Sequence, residues 1–257
     1  MCLIVFAYKY HLRYPLILAA NRDEFYDRPT RESRFWDDHP NLLGGRDLLY
    51  GGTWMGITRA GRFAAVTNFR ERAGSLKQPL SRGLMTRDFL ASRESPETFL
   101  KGIISREEEY NGFNLLLGDM ASIIYYSNRN RKMKVLEPGI YGLSNHLMDT
   151  PWPKVVRTRQ ALAEIAAGTD PVNIDELFKV LYDRTPAADD ELPDTGIEPE
   201  LEKALSSPFI VTPAYGTRAS SVLTLDADGQ VKFAERSFTG PEDQGQTILH
   251  QFKITDP

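Results

Sequence analysis

Met1-Cys2-Leu3-Ile4-Val5-Phe6-Ala7-Tyr8 and Leu16-Ile17-Leu18-Ala19-Ala20 are two apolar runs, and the second leads directly into Asn21-Arg22-Asp23-Glu24. Each run reads as a buried strand, with His11, Arg13 and Pro15 marking the turn between them. In such a hairpin the end of the second strand returns beside the start of the first. The polar quartet, a loop on this reading, therefore belongs near Cys2. Alternation sets Asn21 and Asp23 on one face and Arg22 and Glu24 on the other, so at most one pair faces Cys2 unless the strand breaks. A carboxylate there could hold a protonated α-amine, and an arginine could favour a thiolate. A solvated charged turn is the other reading of the quartet.

Cys2 is the only cysteine among 257 residues and directly follows Met1. Initiator methionine is commonly trimmed before a small residue, which would leave a thiol and a free α-amine on one residue. With an α-amine pKa of about 7.7–8 and a thiol pKa of about 8.5, that terminus carries a nucleophile and its own base near neutral pH. N-terminal amines serve as the base in one variant of triad chemistry. This reading expects the sulfur in a cleft, within side-chain reach of Asp23 and Asn68. The alternative is that Cys2 is a small buried hydrophobe opening a strand.

Further along, Phe25 to Asp47 reads as an irregular loop with Arg28, Arg31, Arg34, Phe35 and Trp36, either a pocket wall or a surface excursion. Thr53–Thr58 and Phe63–Thr67 read as a hairpin turning at Ala60-Gly61, with Asn68 at its end. Helices are expected from Ser81 to Ala91 and from Ser95 towards Tyr110, where proline stands near the first helical position. Strands follow at Phe113–Gly118, Ile123–Tyr126, Lys134–Leu136 and Ile140–Leu143. Helices at Trp152–Ala167 and Ile174–Asp183 bring the expected number to four. Thr185 to Leu205, rich in Asp, Glu and Pro, reads as a solvated acidic loop or a lid. Strands at Ser220–Leu225, Val231–Phe238 and Thr247–Ile254 close the chain. Regular β spacing with the helices gathered elsewhere predicts an antiparallel α+β fold.

Composition fits one domain spanning 1–257: apolar residues make up 41% and no Pro/Gly/Ser linker divides the chain. A net charge of −4 argues against nucleic acid or an anionic membrane as the main partner. One cysteine excludes an internal disulfide. The opening apolar run lacks a basic flank and is too short for a signal peptide or membrane span, so a cytoplasmic location is expected.

The stretches Met1-Cys2-Leu3, Ala20 to Pro29, Gly51-Gly52-Thr53-Trp54-Met55-Gly56, Val66-Thr67-Asn68-Phe69-Arg70, Leu143-Ser144-Asn145 and Tyr215-Gly216-Thr217-Arg218 together resemble the family named for its Asn-Arg-Asp-Glu motif. That family is also called the transport and Golgi organisation protein 2 family. More distantly the chain is similar to N-terminal-nucleophile (Ntn) hydrolases with a leading cysteine, such as bile-salt hydrolase, penicillin V acylase and acid ceramidase. The resemblance implies a four-layer αββα sandwich of two antiparallel sheets and cleavage of a non-peptide amide. It implies Cys2 as nucleophile, Asn68 and Asn145 as active-site asparagines around the oxyanion, and Arg218 as an arginine approaching from a far strand. Without the resemblance, Asn68 is a strand-ending residue satisfying its own turn and Arg218 a surface salt-bridge partner.

In the amidases an arginine precedes the Asn of an Arg-Asn-x-Asp pattern; here that place is Ala20, and arginine stands inside the motif as Arg22. Asn21 and Asp23 keep the pattern, so α-amine binding is assigned to Asp23. His146 raises a Cys–His dyad as a further arrangement. Two functions of different class follow. One is a Cys2 amidohydrolase acting on a small or lipid-like amide, with Arg22, Asp23 and Arg218 ordering the site and no cofactor required. The other is a non-catalytic haem, lipid or acyl-CoA carrier on the same scaffold, since the resembled family is implicated in haem mobilisation, lipid homeostasis and Golgi organisation. Haem would then take Cys2, His146 or a tyrosine as axial ligand.

Overall fold

Cys2–Tyr8 forms strand β1 and Leu16–Phe25 forms β2 in the computed structural model, which describes residues 2–71 and 79–255. Strands β3 (Thr30–Phe35), β4 (Leu42–Asp47), β5 (Met55–Thr58) and β6 (Phe63–Asn68) follow. Helices α1 (Arg82–Ala91) and α2 (Pro96–Ile104) lead to β7 (Phe113–Gly118), β8 (Ile123–Ser127), β9 (Lys132–Val135) and β10 (Gly139–Leu143). Then come α3 (Pro153–Ala166), α4 (Ile174–Leu181) and α5 (Pro199–Ala204). The last strands are β11 (Tyr215–Leu225), β12 (Gln230–Ser237) and β13 (Gln246–Lys253). Among the described residues the strands make two sheets, in the orders β10-β1-β2-β11-β12-β13 and β3-β4-β5-β6-β7-β8-β9. From β10 to β12 in the first sheet, and throughout the second, neighbouring strands run antiparallel. This is the α+β class that the strand spacing predicts.

By its contacts the chain divides into two units. One holds the chain up to Asp27 and again Glu137–Phe252; the other holds Arg28–Leu136 and the residues from Lys253. In the first unit, β1 is buried along its whole length, as its unbroken apolar run requires. Alternation sends Leu3, Val5, Ala7, Ile17 and Ala19 to one face. There they pack against Val155 and Leu162 of α3 and Leu177, Phe178 and Leu181 of α4. Pro153 opens α3, and the Asn173 side chain caps α4 by accepting from Asp175 N. Truncating one of these leucines to alanine is expected to cost about 2–5 kcal/mol.

The second unit follows the same logic. Met85, Phe89 and Leu90 of α1 and Leu100 and Ile103 of α2 cover Val66, Phe113, Leu115 and Tyr126 of its sheet. Ser95 caps α2 by accepting from Thr98 N, with Pro96 in the first turn. A buried carboxylate fixes the next turn, because Glu107 accepts from the Tyr126 hydroxyl and pairs with Arg131 Nε at 2.8 Å.

Three stretches read as loops hold regular elements. The quartet Asn21 to Glu24 is no loop: β2 runs through it to Phe25. Between Phe25 and Asp47, read as irregular, lie β3 and β4. In β3 only Ser33 is fully buried, so its polar sequence offers no apolar run to recognise. The acidic 185–205 stretch holds a fifth helix, α5, anchored where Glu202 Oε1 accepts from Thr195.

Candidate functional site

The hairpin brings Cys2 directly opposite Arg22, with Leu3 opposite Asn21 and Ile4 opposite Ala20. Opposed residues of an antiparallel pair share a face. Arg22 and Glu24, and not Asn21 and Asp23, therefore stand on the Cys2 face, which is the face turned away from α3 and α4. On its other edge β1 pairs with β10, Ile4 opposite Leu143. Ser144 follows immediately and donates from Oγ to the Cys2 carbonyl at 2.9 Å, with Asn145 Oδ1 3.2 Å from the same hydroxyl. Asn145 is fully buried. Cys2 is thus held between Arg22 and the Ser144-Asn145 turn.

The sequence reading expects the sulfur in a cleft; Cys2 is buried, 7% exposed. Burial pushes its thiol above the ordinary thiol range, and the Asp23 carboxylate adds to the rise. Arg22 and a hydrogen bond from the Asp23 backbone oppose it. In the chain that begins with Met1, this sulfur is a neutral thiol at neutral pH. The expected trimming concerns Met1, which lies outside the described residues.

Asp23, 2% exposed, sits one residue beyond the partner of Cys2, so β2 carries its carboxylate past the end of β1. There Asp23 Oδ1 accepts from Thr217 Oγ1 at 2.8 Å. The Tyr215 hydroxyl donates to the Asp23 carbonyl at 3.0 Å. Asn21 has a structural task. Its amide donates to the carbonyls of Leu181 and Pro208, both at 2.9 Å, and accepts from Ser220 Oγ at 2.6 Å. It ties β2 and β11 to the end of α4.

Arg218 is the extra residue of a bulge: Thr217 pairs with Asp23 and Ala219 with Arg22, leaving Arg218 between the two registers. Bulges re-aim side chains in this way. The Arg218 carbonyl accepts from Phe238 N at 2.9 Å, and its Nη1 donates to the Phe238 carbonyl. Burial pulls the Arg218 guanidinium below its ordinary value, and Arg22 adds to the fall. Tyr26, next to the motif, has its phenol raised by burial and by Asp23. Gly216 leaves room for that ring, since a Cβ there would overlap the Tyr26 hydroxyl.

Asn68 belongs to the second unit, where it ends β6 opposite Phe113. That register places its side chain on the face covered by α1 and α2. The structure brings together Cys2, Arg22, Asp23, Asn145 and Arg218 in the first unit; the role of Asn68 rests on the resemblance alone. Sequence reasoning missed Ser144 and Thr217 as supporting residues. Each stands directly beside a candidate, Asn145 and Arg218, and that adjacency was the available signal.

His146 is turned elsewhere. The Thr150 hydroxyl gives its hydrogen to the Leu147 carbonyl at 2.7 Å, so it can only accept from His146 Nδ1 at 2.8 Å. This fixes the proton on Nδ1, and burial holds the ring below the ordinary imidazole value. The ring packs on Trp152, a member of the helix-side core. No Cys–His dyad follows from this arrangement. Among the described residues no group of three or more His, Cys, Asp or Glu side chains could hold a metal ion. No helix among them is long and apolar enough to cross a membrane.

Known proteins resemble this chain at two levels. Among solved structures, a Clostridium perfringens conjugated bile acid hydrolase variant superposes with a TM-score of 0.55 at 12% identity, over 100% of this chain and 98% of that one. A Caenorhabditis elegans N-acylethanolamine-hydrolyzing acid amidase ortholog gives 0.50 at 14% identity, covering 86% and 92%. Identities this low show the fold, that of the Ntn amidases. By sequence, transport and Golgi organization protein 2 homologs of Bos taurus and Homo sapiens are each 37% identical over 99% of both chains. The Drosophila melanogaster protein is 27% identical over 91% of this chain and 89% of its own. A family model described as transport and Golgi organisation 2 matches residues 1–240. With that match covering most of the chain and relatives aligned end to end, the protein belongs to the transport and Golgi organisation 2 family.

Proposed function

We propose that the protein is a cysteine amidohydrolase acting on a small or lipid-like amide, active when Cys2 is the first residue. The observation that carries this reading is the setting of Cys2 opposite Arg22, with its carbonyl on Ser144 Oγ and the Asp23 carboxylate just past the end of β1. Removing Met1 turns the Cys2 amide nitrogen into an α-amine at the end of β1 towards which Asp23 extends. The amine takes the thiol proton, and the sulfur attacks the amide carbonyl. The C–N bond breaks, the leaving amine receives that proton, and an acyl thioester remains on Cys2. Water then attacks, the α-amine accepts its proton, and release of the acid restores the thiol. Asn145 donates to the oxyanion; removing one such donor costs about 2.7–4 kcal/mol in other enzymes. Arg22 and Arg218 supply the positive field that favours thiolate.

The burial of Cys2 and its raised thiol favour a second reading if Met1 persists: a non-catalytic carrier on the same scaffold. Intact mass decides which terminus the protein carries. Rates of wild type and Cys2→Ala on a panel of N-acyl amides and thioesters decide the chemistry. The hydrolase reading expects turnover by wild type alone, and equal rates would falsify it.

A further inference from the structure

We propose that Tyr26 determines specificity, its phenol donating to an oxygen on the amine side of the scissile amide, a hydroxyl or a carboxylate. This rests on the hydrolase reading for its direction and on the placement of Tyr26 for its chemistry. Tyr26 N donates to the Ala214 carbonyl at 2.9 Å, which carries the pairing of β2 with β11 one residue past Phe25 and fixes the backbone there. The ring lies over Gly216, where a Cβ would overlap the phenol oxygen. Gly216 pairs with Glu24, and opposed residues share a face, so the hydroxyl stands on the Cys2 face of β2. Tyr26 is half-buried, yet its hydroxyl makes no hydrogen bond among the described residues.

The spacing suits a leaving group. Glu24 is two residues beyond Arg22, the partner of Cys2, which is about 7 Å along an antiparallel strand. A chain of four bonds and one hydrogen bond span about that distance. The direction is that of the amine, because the α-amine that protonates the leaving nitrogen stands at the end of β1 towards Asp23, and Gly216 lies on the same side. Burial and Asp23 raise the phenol, so it keeps its proton at neutral pH and acts as a donor. Arg184 and Arg218 also act on it by charge. Arg218 faces the carboxylates of Asp243 and Glu24. The Arg184 guanidinium lies over the rings of Tyr182 and Phe209, and its Nη2 donates to the Tyr182 hydroxyl at 2.6 Å. Its charge favours a carboxylate over a hydroxyl as the acceptor.

Calorimetry of the full chain carrying Cys2→Ala tests this with three ligands of one acyl chain: an N-acylglycine, an N-acylethanolamine and an N-propyl amide, in which a methyl group replaces the oxygen. Adding Tyr26→Phe should weaken at least one oxygen-bearing ligand about fivefold and leave the propyl amide within about twofold. The ligand weakened more names the acceptor. Since the hydroxyl has no partner within the described chain, the same substitution should leave the urea midpoint unchanged. Tyr10→Phe, in the exposed turn at the other end of the hairpin, should alter none of the affinities. Equal effects of Tyr26→Phe on all three ligands, absent binding of all three, or a lowered midpoint overturns the proposal. Because binding needs no turnover, Tyr26-dependent recognition in a protein whose wild type hydrolyses none of these ligands keeps the subsite and sinks the hydrolase reading instead.

Discussion

The Thr217 hydroxyl donates to Asp23 Oδ1 at 2.8 Å while accepting from Ile210 N at 2.9 Å. Since the hydroxyl has one hydrogen and that hydrogen goes to the carboxylate, Thr217 fixes both the orientation of Asp23 and its role as acceptor. Thr217→Val keeps the shape and removes the oxygen, taking one donor from the buried carboxylate and leaving a buried N–H unmet. The expected loss of stability is about 1–3 kcal/mol for the group so stranded, measured by urea denaturation. If Asp23 holds the α-amine, the same change should also move the lower limb of the pH–rate profile. An unchanged midpoint would show that Asp23 is held by other contacts.

Asn21, although it opens the motif, is predicted to act on stability and not selectively on chemistry. Asn21→Ala strands the carbonyls of Leu181 and Pro208 and the Ser220 hydroxyl. A cost of about 1–3 kcal/mol per buried group left unmet follows. The thermal midpoint should fall sharply, whereas KM of the protein that remains folded should hold. A stable variant that binds substrate poorly would place Asn21 in the site.

The thiol of Cys2 makes a pH prediction. Its pKa is raised by burial in the chain that begins with Met1, so alkylation by iodoacetamide should be slow at neutral pH and accelerate only above the ordinary thiol range. A chain beginning at Cys2 should react near neutral pH, because its α-amine can take the proton. Pseudo-first-order rates against pH for the two forms, each verified by intact mass, check this. Identical profiles would remove the α-amine from the account.

Two histidines give a stability slope. Burial holds His11 and His146 below the ordinary imidazole value, with Arg13 adding to the effect on His11. The unfolded chain, with histidine pKa near about 6.5, then binds more protons than the folded one over the interval below that value. Their contribution is fully present above it and is lost as the pH falls towards the folded values. Denaturation at pH about 7.5 and about 5.5 should show a smaller drop for His11→Gln with His146→Asn than for wild type. An equal drop would mean that other groups set the slope.

Much of the fold was legible because the apolar pattern was strong where burial was two-sided. The runs Leu3–Tyr8 and Leu16–Ala20 could only be central strands, and β1 and β2 are. Legibility failed where burial was one-sided or brief. Thr30–Phe35 pairs at the edge of its sheet with charged side chains outward, and α5 is a short helix inside an acidic stretch. The motif misled for another reason: Asn21 and Asp23 look like loop residues, yet both are buried and bonded to neighbouring elements. Position relative to Cys2 followed from hairpin geometry, but which pair of the quartet shares its face required the register. The bulge at Arg218 leaves no mark in composition at all.

The central claim is that Cys2 forms the covalent intermediate, and acid-quench mass spectrometry of the N-terminal peptide tests it most directly. With an N-acyl amide that turns over slowly, the account predicts a peptide beginning at Cys2 that carries the acyl mass as a hydroxylamine-labile thioester, and no adduct on a chain that retains Met1. Turnover at the wild-type rate by Cys2→Ala, or steady turnover by wild type with the Cys2 peptide never acylated, would contradict it.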